Sequence, residues 1–303
     1  MSPTDPPPPA PTPEILCDTR CETGEGPLYH PQENAIYWSD IPAGKMYRVA
    51  ADAPAMSEPE LIYDEGRPVG GFTLQADGAL LLFRDRGNVV TWRNGAVEKT
   101  IIDHVPGLES TRFNDVIADP LGGVFCGTMS SDDVAGRLYR LTPEGEPCQL
   151  LDDQGTPNGM GFSPDRKTMY YQDSRTATLY AFDFDPATGD TANFRPLRDA
   201  RAQGDTGRGD GMTIDTQGRV WSFRWGGWSF LRCDAQGVPD WEIPLPAENI
   251  TSGCFGGPNF DKLFVTSAIG SGRPKTGKHA GALFRLDVGA TGVAEFQSRI
   301  GLG

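Results

Sequence analysis

The sequence predicts an all-β fold, a six-bladed β-propeller with a central channel. A unit of two short strands around a tight turn recurs six times, and the high content of glycine (38) and proline (26) is typical of many short strands and turns. The second strand of each unit carries a bulky residue, at spacings of 44, 43, 45, 51 and 43 positions: Trp38, Leu82, Phe125, Tyr170, Trp221 and Phe264. A steady repeat of about 45 residues indicates a propeller rather than the alternative, a β-sandwich with two Greek keys.

The clearest unit runs from Thr111 to Met129. Arg112, Asn114 and Asp115 stand at the start of its first strand, residues 119–122 form the turn, and residues 124–126 form the second strand. Pro120 fixes one φ angle of the turn and Gly122 supplies a permissive one. We expect Asp115, Asp119 and Pro120 to serve the turn chemistry of the blade.

The other units follow the same order along the chain. Their first strands are predicted at residues 26–31, 71–75, 158–163, 210–215 and 253–257. Each hairpin is followed by a further strand that is rich in apolar and β-branched residues and that mostly ends in a turn. These further strands are predicted at residues 45–49, 88–92, 137–141, 178–182, 229–232 and 282–286.

A propeller ring must be closed, because an open ring would expose two strand edges. The sequence predicts that a strand near residues 15–17 completes the blade that holds a C-terminal strand near residues 293–296. Residues 1–13 contain mostly proline and small polar residues, so we predict a disordered tail there and a single propeller domain over residues 14–303.

The composition of the chain excludes some classes of binding partner and favours one class of substrate. The formal net charge of −14 argues against nucleic acid or an anionic membrane as a partner, and it favours a neutral sugar-like substrate. No signal peptide and no membrane-spanning apolar run is recognisable. The six cysteines include no CxxC pair, and we expect reduced thiols in a cytoplasmic protein that is a monomer or weak dimer; the spacing of Cys17 and Cys21 leaves their pairing open.

Acids and amides recur at one position of the repeat, just before or at the start of the first strand. They are Glu25, Asn114, Asn158 and Asp210. Equivalent positions of the blades converge on the central axis, so these side chains are predicted to meet at one end of the channel. Two carboxylates and two amides suit a hard divalent cation. The alternative is that Asn-Gly and Asp-Gly here are simply turn dipeptides.

These residues lie within motifs that closely resemble the gluconolactonase/regucalcin (senescence marker protein) family of six-bladed propellers. The resemblance spans about residues 20–290. Its motifs are Gly24-Glu25-Gly26-Pro27, Arg112-Phe113-Asn114-Asp115, Gly127-Thr128-Met129, Asn158-Gly159, residues 170–174, Asp210-Gly211-Met212 and residues 251–257.

The resemblance implies particular roles. The metal ligands of the family carry over onto Glu25, Asn158 and Asp210, and its sugar-lactone contacts carry over onto Arg112 and Asn114. Asp132 is nearest to the place of a further substrate-contacting acid, where the family commonly has Glu. The implied cofactor is one divalent cation, with Ca²⁺ as the first choice and Zn²⁺, Mn²⁺, Mg²⁺ and Fe²⁺ as alternatives.

The implied activity is hydrolysis of a sugar lactone, similar to gluconolactone, to the aldonic acid. A cation polarises the lactone carbonyl, and Asp210 serves as the general base for the attacking water. Two alternatives stay open at this point. One is a calcium-binding regulatory protein in which the cation is structural, and the other is a hydrolase of organophosphates or other esters on the same scaffold.

Overall fold

The computed structural model describes residues 9–302, and it consists of six four-stranded antiparallel sheets. The first three sheets, blades 1 to 3, use strands that follow one another in sequence. After β1 (Glu14–Cys17) they are β2 (Gly24–His30), β3 (Ala35–Asp40), β4 (Lys45–Ala50) and β5 (Glu60–Asp64); β6 (Val69–Leu74), β7 (Leu80–Arg84), β8 (Val89–Arg93) and β9 (Ala96–Ile102); and β10 (Phe113–Ala118), β11 (Val124–Thr128), β12 (Gly136–Leu141) and β13 (Pro147–Gln154).

Blades 4 and 5 have the same order, and blade 6 takes its fourth strand from the start of the chain. Their strands are β14 (Pro157–Phe162), β15 (Thr168–Asp173), β16 (Thr178–Phe184) and β17 (Thr191–Asp199); β18 (Arg208–Ile214), β19 (Val220–Trp225), β20 (Ser229–Cys233) and β21 (Pro239–Pro244); and β22 (Asn249–Gly256), β23 (Lys262–Ala268), β24 (Leu283–Leu286) and β1. One short helix, α1 (Arg273–Thr276), lies between β23 and β24.

The first strand of each blade lies against the first strand of the next blade, and β22 returns to β2. The six sheets therefore form a closed ring, which confirms the predicted propeller. All six predicted hairpins and the six predicted further strands are present. The outermost strands of blades 1 to 5 were not individually predicted.

The hairpin turn of blade 3 shows how local sequence sets the fold. The Asp119 side chain is fully buried and accepts hydrogen bonds from the N–H groups of Leu121, at 2.8 Å, and Gly123, at 2.9 Å. Its other oxygen pairs with Arg140 Nε at 2.7 Å. Asp119 thus has the turn role that the sequence predicted.

The hydrophobic core lies between adjacent blades. Trp221 of blade 5 meets Phe255 of blade 6 edge-to-face with ring centroids 5.6 Å apart, and Phe125 of blade 3 meets Phe162 of blade 4 at 5.8 Å. Such aromatic pairs stabilise the fold beyond the contribution of the apolar area that they bury. The bulky residues whose spacing predicted the repeat are therefore the side chains that hold neighbouring blades together.

Ring closure is confirmed at its N-terminal side and corrected at its C-terminal side. β1 pairs antiparallel with β24, and the N–H groups of Met56 and Ser57 donate to carbonyls of β1. The predicted strand at residues 293–296 is wrong. The outer edge of β24 is occupied by β1. The segment instead crosses the far end of the channel, where Gly292 forms an isolated β-bridge with Asp215 and Ser298 forms one with Gln75.

Residues 1–8 of the predicted tail lie outside the described residues, and β1 begins at Glu14; the division into a tail and a propeller domain stays a prediction. All six cysteines are free thiols. Burial raises the pKa of Cys17 and Cys21 to about 12, so both stay protonated at neutral pH. No helix among residues 9–302 is long and apolar enough to cross a membrane.

Ring closure can be tested by truncation. A chain that begins at residue 11 keeps β1 and should melt at the temperature of the full chain. A chain that begins at residue 23 loses the fully buried Leu16 and Cys17 and exposes the edge of β24. Burial of one leucine alone is worth about 1.5–3 kcal/mol, so its melting temperature by circular dichroism should fall. Equal melting temperatures for the two chains would contradict the closure.

Candidate metal and substrate site

The candidate site lies at the end of the channel where the first strand of each blade begins. All six of these strands shift register by a β-bulge at this end. A bulge leaves residues unpaired with the neighbouring strand and redirects their side chains. The four predicted residues lie at these bulges and are buried, with exposed fractions from 4% for Asp210 to 9% for Glu25; the others are Asn114 and Asn158.

Asp210 and Asn158 are in direct contact. Asn158 Nδ2 donates to Asp210 Oδ1 and also to Ser174 Oγ at 3.0 Å. The second carboxylate oxygen, Asp210 Oδ2, is buried and has no hydrogen-bond partner among the described residues. An ionised oxygen left in this state is costly. It therefore requires either a proton or a cation.

Glu25 lies near the same carboxylate. Its Oε2 accepts a hydrogen bond only from the N–H of Gly26, at 3.2 Å, among the described residues. Burial raises the pKa of Glu25 well above its usual range, and the negative charges of Asp210 and Asp115 raise it further. Burial likewise raises the pKa of Asp210, and Asp115 adds to the effect. Both carboxyl groups are thus destabilised as anions unless a positive charge lies between them.

This donor set fits a hard cation. The two carboxylates supply two negative charges, and Asn158 adds an amide oxygen that makes no hydrogen bond to any described residue. Among residues 9–302 there is no group of three or more His, Cys, Asp or Glu side chains that could hold a metal. The predicted set of Glu25, Asn158 and Asp210 has only two such residues because its third member is an amide. Their metal-binding role stays a prediction.

Arg112 and Asn114 form a second part of the site. Arg112 Nη1 donates to Asn114 Oδ1 at 3.0 Å, and Asn114 Nδ2 donates to the carbonyl of Pro157 at 2.9 Å. Burial lowers the pKa of Arg112, whereas the charges of Glu25 and Asp210 raise it. The guanidinium stays charged at any physiological pH. Asn114 thus holds Arg112 in place, and Arg112 Nη2 makes no hydrogen bond to the residues that the structure describes.

Asp132 is not brought into the cluster. It is exposed in the loop between β11 and β12, which opens at the same end of the channel. It makes no hydrogen bond or ion pair to the residues that the structure describes. Its contact with a substrate stays a prediction that depends on a ligand large enough to reach the rim.

Asp115 does not have the predicted turn role. It lies in the bulge of β10 and lines a cavity of about 30 Å³ in the channel, together with Ser252 and Glu295. The surrounding protein excludes water and raises the pKa of Asp115 to about 6, although the N–H of Val116 opposes this shift. Burial raises the pKa of Glu295 to about 7, and Asp115 contributes to that rise. The bulge breaks the alternation of side chains, so consecutive residues, Asn114 and Asp115, both face inward.

Sequence reasoning gave no role in the site to Gln172 and Ser174, although both lie in the motif of residues 170–174. Both are buried near the end of the second strand of blade 4 and make hydrogen bonds to the strand that carries Asp210. The available signal was a run of polar residues, from Gln172 to Ser174, at the end of a strand of mostly bulky side chains.

Comparison with known proteins defines the family. Residues 23–269 match the family described as the SMP-30/Gluconolactonase/LRE-like region. This match covers most of the chain, and the chain belongs to this family. The resemblance stated from the sequence motifs is therefore confirmed.

Particular relatives cover nearly the whole chain. The chain is 42% identical over 297 residues to the pentonolactonase of Haloferax volcanii, covering 95% of this chain and 98% of that protein. It is 31% identical over 247 residues to the 6-deoxy-6-sulfogluconolactonase of Pseudomonas putida, covering 81% and 83%. The solved structure of regucalcin from Agrobacterium tumefaciens, described as a calcium-binding protein, superposes with a TM-score of 0.86 at 24% identity, covering 96% of this chain and 98% of that one, and supports the fold.

Two of these relatives bear names of lactone-hydrolysing enzymes. The sequence predicted a carboxylic-ester hydrolase of the lactonase type, and the relatives with these names confirm that class.

The raised carboxyl pKa values predict a pH dependence of stability. The pKa of Asp115 is about 4 in the unfolded chain and about 6 in the folded protein. Its contribution to the free energy of unfolding is therefore full below about pH 4 and is lost as the pH rises through about 6. In the presence of chelator, Asp115→Asn should raise the melting temperature more at pH 7 than at pH 4.

The control for this experiment is a carboxyl group whose pKa is shifted in the opposite direction. Hydrogen bonds from Ser163 and the N–H of Lys167 lower the pKa of the exposed Asp165. Asp165→Asn should therefore cost more stability at pH 7 than at low pH. A pH-independent effect of Asp115→Asn would show that Asp115 is not destabilised as an anion.

Proposed function

We propose that this protein hydrolyses a neutral sugar lactone, similar to gluconolactone, to the aldonic acid with the help of one divalent cation. The observation that carries the proposal is the buried, unpartnered Asp210 Oδ2 beside Asn158 and Glu25, within reach of the charge of Arg112. The names of the lactonase relatives support the reaction class. We expect Ca²⁺ as the cation, bound by Glu25, Asn158 and Asp210.

Hydrolysis of a lactone places distinct demands on the site. A water molecule attacks the carbonyl carbon, negative charge develops on the carbonyl oxygen, and the bond from the acyl carbon to the ring oxygen then breaks. The ring oxygen leaves with a proton, so the product is an open-chain hydroxy acid. When bound, the cation supplies Lewis-acid polarisation of the carbonyl.

Asp210 has the properties of the base in this reaction. Oδ1 is held by Asn158, which leaves Oδ2 for both assigned roles, as a ligand of the cation and as the acceptor of the proton of the attacking water. Burial raises the pKa of Asp210, and a bound cation would lower it again, so that the group is an anion at neutral pH and can accept a proton. The same proton is then available for the leaving ring oxygen.

Arg112 has the properties of a substrate clamp. Its Nη1 is held by Asn114 Oδ1 and by the carbonyl of Phe113, at 3.0 and 2.8 Å. The remaining N–H groups can donate to sugar hydroxyls or to the oxygen on which negative charge develops. Because these bonds hold the guanidinium in one orientation, little side-chain entropy is lost when a substrate binds.

A direct test is turnover of an aldonolactone panel, including gluconolactone and xylonolactone, followed by acid release with and without chelator. Metal-dependent turnover supports the proposal. A folded protein that binds Ca²⁺ but opens no lactone supports a calcium-binding regulatory protein instead. Turnover of organophosphates or simple esters but not of lactones supports the other hydrolase.

Removal of the predicted base gives a sharper result. Asp210→Ala and Glu25→Ala should each abolish both lactone hydrolysis and Ca²⁺ binding measured by calorimetry. Each variant removes one of two clustered, buried carboxylates, so neither should unfold the chain when chelator is present. A fully active Asp210→Ala variant would rule out the assigned mechanism.

The clamp role of Arg112 predicts a different pattern. Arg112→Met should lower kcat/KM by about 10²–10³, the cost of one donor to a developing oxyanion, while Ca²⁺ still binds because no metal ligand is removed. The matched control is Arg195→Met, since Arg195 lies on the outermost strand of blade 4 and pairs with Asp183 at an exposed site. If both variants had unchanged kinetics, Arg112 would have no role in the reaction.

A further inference from the structure

The strand that carries Asp210 is interrupted where the carboxylate leaves it. In β18, Gly209 pairs with Arg224 and Met212 pairs with Ser222, but the two residues between them have no partner on β19. The carbonyl groups of Asp210 and Gly211 therefore cannot be satisfied by the ladder of their own blade. Buried carbonyl groups need another donor, and the conformation of the bulge depends on where that donor lies.

A single side chain of the preceding blade supplies this donor. Gln172 Nε2 donates to the carbonyl of Asp210 at 2.9 Å and to the carbonyl of Gly211 at 3.1 Å. Gln172 is only 3% exposed, so water does not offer an equivalent donor. The two N–H bonds of one amide thus satisfy both carbonyls of the bulge.

The other end of the Gln172 amide is fixed as well. Its Oε1 accepts a hydrogen bond from Ser222 Oγ at 2.5 Å, and Ser222 is itself buried on β19. This bond orients the amide with its N–H groups towards β18. The amide therefore uses its oxygen as an acceptor and both N–H groups as donors, and a rotated amide would lose these hydrogen bonds.

The close approach of Gln172 to β18 depends on a glycine. A Cβ atom at Gly209 would lie 2.2 Å from Gln172 Oε1, which is far inside van der Waals contact. Only glycine leaves room for the amide at this point. The two residues are therefore fitted to each other across the boundary between blades 4 and 5.

Gln172 is also the ladder partner of Asn158, so it contacts both strands that carry predicted metal ligands. Ser174, two residues further along the chain, makes a parallel connection: it accepts from Asn158 Nδ2 at 3.0 Å and donates to the carbonyl of Gly209 at 2.6 Å. Both ends of the bulge in β18 are thus held by residues at the end of β15.

We propose that Gln172 is a positioning residue, which fixes the bulge of β18 so that the carboxylate of Asp210 is held beside Asn158 and Glu25. The proposal rests on the proposed function, because it assigns to Gln172 an effect on cation binding and on the base. Residues that hold metal ligands in place typically account for about 10- to 100-fold in metal affinity or activity.

The test is Gln172→Met, which keeps the length of the side chain and removes both donors. Calorimetry with Ca²⁺ alone should show affinity weaker by about 10- to 100-fold. Lactone hydrolysis should show a fall in kcat with little change in KM, because Arg112 still binds the substrate. Gln172→Glu, which keeps the shape but faces two carbonyls with oxygen, should have at least the same effect. Ser222→Ala should have a smaller one, because both donors remain.

The chain provides a matched control at the opposite end of the channel. Gln75 is also fully buried and exchanges two hydrogen bonds with the backbone of Ile300, at 2.9 and 3.1 Å. Gln75→Met removes the same groups from the same kind of environment. It should lower the melting temperature as Gln172→Met does, but it should leave Ca²⁺ affinity and kcat unchanged.

The outcomes separate the two proposals. Equal Ca²⁺ affinity and kcat in the Gln172 and Gln75 variants, in a wild type that binds Ca²⁺ and opens lactones, would overturn the positioning role alone. A wild type that does neither would overturn the proposed function and this proposal with it. If Gln172→Met does not fold, Gln172→Glu and Ser222→Ala decide by the same two measurements.

Discussion

The site depends on the convergence of six bulged strands on one axis. The register shift in each first strand directs side chains into a narrow space that neighbouring blades keep free of bulk water. Carboxylates brought together in such a space repel each other and lose hydration. The ring therefore holds Glu25 and Asp210 at a cost in free energy as anions, which a proton or a cation would relieve.

The spacing of the repeat predicted the inner half of every blade because Trp221 and its counterparts pack between blades and so recur in sequence. The outer strands had no comparable signal, since β9 is largely exposed and β17 is mixed and mostly polar. The error at residues 293–296 has a related cause. Their apolar side chains cover the far end of the channel, and a short apolar run has the same appearance in a sequence as a buried strand.

The candidate site was predictable where its residues occupy the same position of the sequence repeat in different blades. Glu25, Asn158 and Asp210 occupy equivalent places in different blades, so repetition alone indicates that they approach one another. Asp115 follows no such rule, because a bulge breaks the alternation on which inward and outward positions are assigned. The role of Gln172 was not predictable for another reason. The polar run that contains it is visible in the sequence, but its contact with the strand of the next blade is not.

The pairing of β1 with β24 has a consequence for how the chain acquires its structure. Arg285 Nε donates to Glu14, 271 positions earlier in the sequence. A contact between such distant segments forms late, because the entropy of closing the loop must be overcome first. During synthesis, the first strand is complete long before its partner leaves the ribosome. Leu16 and Cys17 pack with blade 1, but they lack their contacts with blade 6 until that blade is made, so the nascent chain stays open to chaperones and to misassembly for most of its translation.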